Sequence, residues 1–157
     1  MTAGSFYGSY WTQGQLWHAG RLPYESAMIS AKLVIAIVDD DAGVRRALHR
    51  LVLSLSCAPV TFASGEAFLE SLREARPHCV IMDLHLPGLK GIDVLKELRN
   101  RAAVLPVSVI TGLDQPGMRE QCLEAGATVY LTKPIARSTV SSAIEAATAG
   151  LPPSEPT

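Results

Sequence analysis

The chain has no excess of basic residues: 14 Lys and Arg stand against 15 Asp and Glu, for a formal net charge of −1. With a pI near 6.4, it lacks the electrostatic footprint of a strong nucleic-acid or membrane-surface binder. Long apolar runs are missing too, and none approaches the ~20 residues needed to cross a bilayer. The N-terminus shows neither a basic leader nor an apolar signal segment. Cysteine is sparse. Cys57, Cys79 and Cys122 are an odd set without metal-type spacing, so they read as buried, reduced thiols of a cytosolic protein. What is present, in 157 residues that are 48% hydrophobic and 18% charged, is enough to bury one domain's core, with a remainder.

That remainder sits at the ends. Residues 1–30 alternate Gly, Ser and aromatics with no helical or strand period, and only Arg21 and Glu25 carry charge. Such a stretch buries little and reads as a disordered extension. Its alternative is a docking segment built on Phe6, Tyr7, Tyr10, Trp11, Leu16 and Trp17. Met28 also stands where a later start codon would fall. Residues 151–157 are too few for another domain and read as a flexible tail, which leaves 31–150 for the folded unit.

Within that unit, four apolar runs each end in a residue able to handle a metal or a phosphoryl group. Residues 33–38 lead into Asp39, Asp40 and Asp41; 79–82 into Asp83; 106–110 into Thr111; and 128–132 into Lys133 and Pro134. Runs of this length suit buried parallel strands, and ligands of an open α/β sheet bind at the carboxyl ends of its strands. Parallel strands would therefore gather carboxylates, a hydroxyl and an ammonium in one cleft. Such a set suits a divalent cation with an anionic group.

Helical periodicity fills the gaps. Val44, Leu48, Leu51, Val52 and Leu55 share one face of a helix, with Arg45, Arg46 and Arg50 on the other. Val60 to Phe62 form a short second strand, and Ser64-Gly65 opens a helix through Phe68, Leu69 and Leu72. A loop from Leu84 to Gly91 precedes a third helix through Ile92, Val94, Leu95 and Leu98. A fourth helix spans about 115–125 and stops at Gly126. A fifth runs from Ser138 to Gly150. Five strand-helix repeats predict a parallel sheet covered on both faces.

Taken together, I-V-D-D-D, V-I-M-D-L-H-L-P-G-L-K-G, V-I-T-G and A-G-A-T-V-Y-L-T-K-P resemble the receiver domain of bacterial two-component response regulators, most nearly the FixJ type. The resemblance covers residues 33 to about 149. It implies a flavodoxin-like (CheY-like) doubly wound sheet of five parallel strands in the order 2-1-3-4-5. It also implies that Asp83 accepts a phosphoryl group. Asp39, Asp40, Asp83 and the backbone carbonyl of His85 would hold Mg²⁺, a hard cation that takes oxygen ligands, which offsets the repulsion between carboxylates. Helix capping is the competing role for the acidic cluster, and it suits Asp41 best.

Thr111 and Lys133 would each meet a phosphoryl oxygen, since positioning and charge stabilisation are most of what phosphoryl transfer asks of a protein. Lys133-Pro134 matches a bond that is commonly cis in the family. Tyr130 matches the aromatic switch that turns inward as Thr111 moves, unless it is only a half-buried strand residue. His85 and Leu113 fall at the rim of the cleft, His85 as a rim residue rather than a ligand through its ring, and Leu113 as an apolar hindrance to water.

The resemblance implies a sensor histidine kinase or histidine phosphotransfer protein as donor. Output would go to a downstream protein, or to a second copy, through the helix 4, strand 5 and helix 5 face. No helix-turn-helix segment follows the last helix in this sequence, so the expectation is a single-domain regulator that makes no direct nucleic-acid or membrane contact. It would catalyse only its own phosphorylation and dephosphorylation. The alternatives are the receiver of a FixJ-type transcription regulator, an unphosphorylated binding module, and a haloacid-dehalogenase-type phosphatase. That last family wants an acid two residues after its nucleophile, where this chain has His85.

Overall fold

A computed structural model describes residues 32–149; the expectations for 1–30 and for the tail lie outside the described residues. Strands and helices alternate: β1 (Val34–Val38), α1 (Ala42–Ser54), β2 (Ala58–Phe62), α2 (Gly65–Ser71), β3 (Cys79–Asp83), α3 (Gly91–Asn100), β4 (Val107–Thr111), α4 (Met118–Glu124), β5 (Val129–Thr132) and α5 (Arg137–Thr148). All four neighbouring pairs are parallel, in the expected order β2-β1-β3-β4-β5.

The strands read as unbroken apolar runs because both faces of the sheet are covered. Alternate side chains of one strand therefore enter different cores. From β1, Val34, Ala36 and Val38 join Phe68 of α2, Val94 and Leu95 of α3 and Cys122 of α4. Ile35 and Ile37 join Leu48 and Val52 of α1 and Val140 and Ile144 of α5. The chain reverses its direction of winding between β1 and β3, and a crevice opens there at the strands' carboxyl ends. Asp39 follows β1 and Asp83 ends β3, so both acids stand at that crevice.

Several boundaries differ from the sequence reading. β2 begins at Ala58, two residues before Val60, and includes Pro59. Pairing only with β1, it is an edge strand, where a residue without an N–H is tolerated. Helix α4 starts at Met118, because its cap Gly117 takes a left-handed φ of 80° directly after Pro116. Helix α5 starts one residue early, at Arg137. The Lys133-Pro134 bond is cis. All three cysteines are free and buried, and burial pushes the Cys79 thiol up to about 12.

Candidate functional site

The first acid is fixed by the backbone around it. Asp39 is 2% exposed; its N–H donates to Phe62 O and its Oδ1 accepts from Asp41 N at 2.9 Å. Asp40 is exposed. The Arg45 guanidinium ties the two down from α1, donating through Nη1 to Asp39 O at 2.7 Å and Asp40 O at 2.9 Å. Asp41 turns the other way and caps α1, accepting from Gly43 N and Val44 N. Those two bonds, Val44's first, hold its carboxyl below the usual carboxylate range. The capping role thus falls to Asp41, leaving Asp39 and Asp40 at the cleft.

Asp83 is 7% exposed and its Oδ1 accepts from His85 N at 2.8 Å. Lys133 reaches its other oxygen, with Nζ 3.0 Å from Asp83 Oδ2 and 3.4 Å from Asp39 Oδ2. The lysine is carried there by β5, because its N–H donates to Thr111 O at the adjacent end of β4. Burial works to lower the ammonium's pKa. The Asp83 hydrogen bond and the Asp39 charge outweigh it, so Lys133 stands above its ordinary value. Asp39 is also raised, first by burial and then by the Asp83 charge, with the Asp41 N–H opposing. Carboxylate oxygens of Asp39, Asp40 and Asp83 lie within 4.8 Å of one another. An all-oxygen set of this kind fits Mg²⁺.

Thr111 is fully buried, and its hydroxyl is committed to the next loop. Its Oγ1 donates to Leu113 O at 2.9 Å and accepts from Leu113 N at 3.1 Å. Leu113 itself is 58% exposed, and the exposed His85 ring reaches Leu113 O through Nε2 at 3.5 Å. Both side chains are exposed. Tyr130 is 4% exposed, with its ring inward and its hydroxyl on Asp114 Oδ1 at 2.8 Å. It is more deeply buried than a half-buried strand aromatic, and it is inward with Thr111 still on Leu113, where the resemblance implied that the ring turns inward as Thr111 moves.

Residues 35–145 match the family described as the response regulator receiver domain. The chain belongs to that family. Among proteins similar to this receiver domain, nodulation protein W of Bradyrhizobium diazoefficiens is 33% identical over 119 residues, covering 76% of this chain and 52% of the relative. Response regulator protein TodT of Pseudomonas putida is 33% identical over 114 residues, covering 73% and 50%. The chain spans about half the length of these relatives. The crystal structure of FixJ-N has a TM-score of 0.70 at 30% identity, with 76% of this chain and 96% of that one covered. Chemotaxis protein CheY4 of Vibrio cholerae, at 22% identity and TM-score 0.69, covers 74% of this chain and 98% of its own, a likeness of fold. The chain therefore carries the receiver domain of a two-component response regulator, a signalling domain. Among the described residues no helix is long and apolar enough to cross a membrane.

Sequence reasoning missed two residues around the site. Glu66 at the start of α2 accepts from Leu89 N at 2.8 Å, a bond that lowers its pKa and secures the loop after Asp83. Asp114 is the other. The chain offers no local sign of either, because each partner lies far away in sequence.

Proposed function

We propose that this domain accepts a phosphoryl group on Asp83 from a phosphohistidine of a sensor kinase or phosphotransfer protein, and that protein contacts carry the signal onward. The observation that carries this reading is the Asp83 carboxylate, held between the Lys133 ammonium at 3.0 Å and the oxygens of Asp39 and Asp40. An Asp83 oxygen attacks phosphorus and the imidazole nitrogen of the donor leaves. Attack brings two anions together, and the site has to neutralise them. Asp39, Asp40, Asp83 and the His85 carbonyl would hold Mg²⁺, which would supply charge neutralisation when bound. Lys133 supplies a fixed point charge, and Thr111 a hydroxyl once it leaves Leu113. Family membership supports the donor, since receiver domains of response regulators are phosphorylated by histidine kinases. Family membership likewise supports a cytoplasmic place of action, which is typical of receiver domains.

Output is assigned to the face of α4, β5 and α5. Tyr130 lies on β5 beneath it, and a new charge at Asp83 can bias its packing only by the free-energy difference between two arrangements. Acetyl phosphate with Mg²⁺ is the test. Intact-mass analysis is expected to show one added phosphoryl group in the wild type and none in Asp83→Asn. Undiminished labelling of the variant would remove Asp83 from this role.

A further inference from the structure

The inward ring of Tyr130 is tied to the active-site loop by a bond that a strand aromatic has no need of. Its hydroxyl donates to Asp114 Oδ1 at 2.8 Å, a hydrogen bond to a charged acceptor and so of the stronger kind. Arg119 of α4 lies over the same ring, with Cζ 5.8 Å from its centroid, within reach of a cation–π attraction. The phenol therefore joins β5 to the loop after β4, and its ring joins β5 to α4. Burial, with the Asp114 bond second, pushes the phenol up to about 12, so it keeps its proton to donate.

The same loop is fastened at its other end by Thr111. One hydroxyl has one proton, and that proton is on Leu113 O. Thr111 cannot give it to a phosphoryl oxygen at Asp83 without releasing the Leu113 carbonyl. Asp114 is the next residue along. Resting on the reading of Asp83 as acceptor, we propose that Asp114 is the positioning residue of the switch, transmitting the departure of Thr111 from Leu113 to the Tyr130 ring through the phenol–carboxylate bond. Phenylalanine would fill the same buried space on β5 without this link. The hydroxyl makes the ring answer to the loop.

The test uses the full chain labelled with 3-fluorotyrosine, in which four tyrosines give fluorine signals and the one missing from Tyr130→Phe is Tyr130. Mg²⁺ and beryllofluoride load the site, and the amide signal of His85, which donates to Asp83 Oδ1, reports loading. In the wild type, the Tyr130 signal is expected to move on loading. In Asp114→Ala, it should be displaced beforehand and move by less than half as much, although the His85 amide still reports loading. Asp114 is exposed, so its removal leaves the core intact. Asp114→Asn keeps an oxygen acceptor in place and should restore most of the movement. A full response in Asp114→Ala, no rescue by Asn, or a silent wild-type ring in a loaded site would each overturn the assignment. A silent His85 amide would instead sink the reading of Asp83, and this proposal with it.

Discussion

Asp39 works against the stability of the metal-free fold. It is almost wholly buried, faces Asp83, and has one backbone N–H and a 3.4 Å contact with Lys133 in compensation. Its raised pKa, caused first by burial and then by the Asp83 charge, means that the folded state binds its proton more tightly than the unfolded chain does. The ionised group therefore costs stability at neutral pH, and the cost is relieved as pH falls through the raised value. Asp39→Asn keeps the size of the side chain and the oxygen that accepts from Asp41 N–H. In EDTA at pH 7, this variant is expected to melt a few degrees above the wild type, the shift that about 1 kcal/mol makes in a domain of this size. Lowering the pH from neutrality should shrink the gap, because the wild-type carboxylate takes up its proton in the folded state first. A variant that melts below the wild type throughout would show that the carboxylate is stabilising where it stands.

Helix α3 is held against the end of β3 by the lack of a side chain at its first residue. A Cβ on Gly91 would lie 2.7 Å from Asp83 O and 2.8 Å from Leu84 Cα, and neither backbone group can swing aside. Gly91→Ala should therefore push α3 off the strand end, at a cost of about 1–3 kcal/mol. The urea midpoint should fall, and labelling by acetyl phosphate should slow because Asp83 moves too. Gly112→Ala is the control beside the same cleft, since its Cβ would meet only Lys133 Cδ at an ordinary 3.6 Å. Equal midpoints for Gly91→Ala and the wild type would mean that the crowding relaxes at no cost. The elements themselves were legible because each strand is a continuous apolar run ending in a polar residue, and parallel pairing brings those ends together. Asp39, Asp83, Thr111 and Lys133 could be found that way. Their supports could not: Glu66 meets Leu89 across 23 residues and Tyr130 meets Asp114 across 16. Nothing in local pattern encodes such pairs. The starts of β2 and α4 were displaced for a related reason, since what Pro59 and Gly117 do depends on an edge position and a left-handed turn.

The carboxylates of the cleft come from the ends of two strands, β1 and β3, that are adjacent only when the sheet is formed. An unfolded chain offers no such cluster, so a cation that binds there binds the native state alone. Stability then depends on its concentration as RT ln(1 + [L]/Kd), which is about 2.7 kcal/mol at a hundred times Kd. The melting temperature of the wild type should accordingly climb with the logarithm of Mg²⁺ concentration once the site begins to fill. Asp39→Asn has lost one charged ligand and should follow a shallower curve. Because the variant starts higher in EDTA and gains less, the two curves should cross, with the wild type the more stable at saturating Mg²⁺. Screening also relieves repulsion between carboxylates, so sodium chloride at matched ionic strength is the necessary comparison, and it should produce neither the slope nor the crossing. Acids that served only to cap α1 would show no preference for the divalent ion. Parallel curves for the two proteins in Mg²⁺ would count against a metal at Asp39, whatever the family resemblance implies.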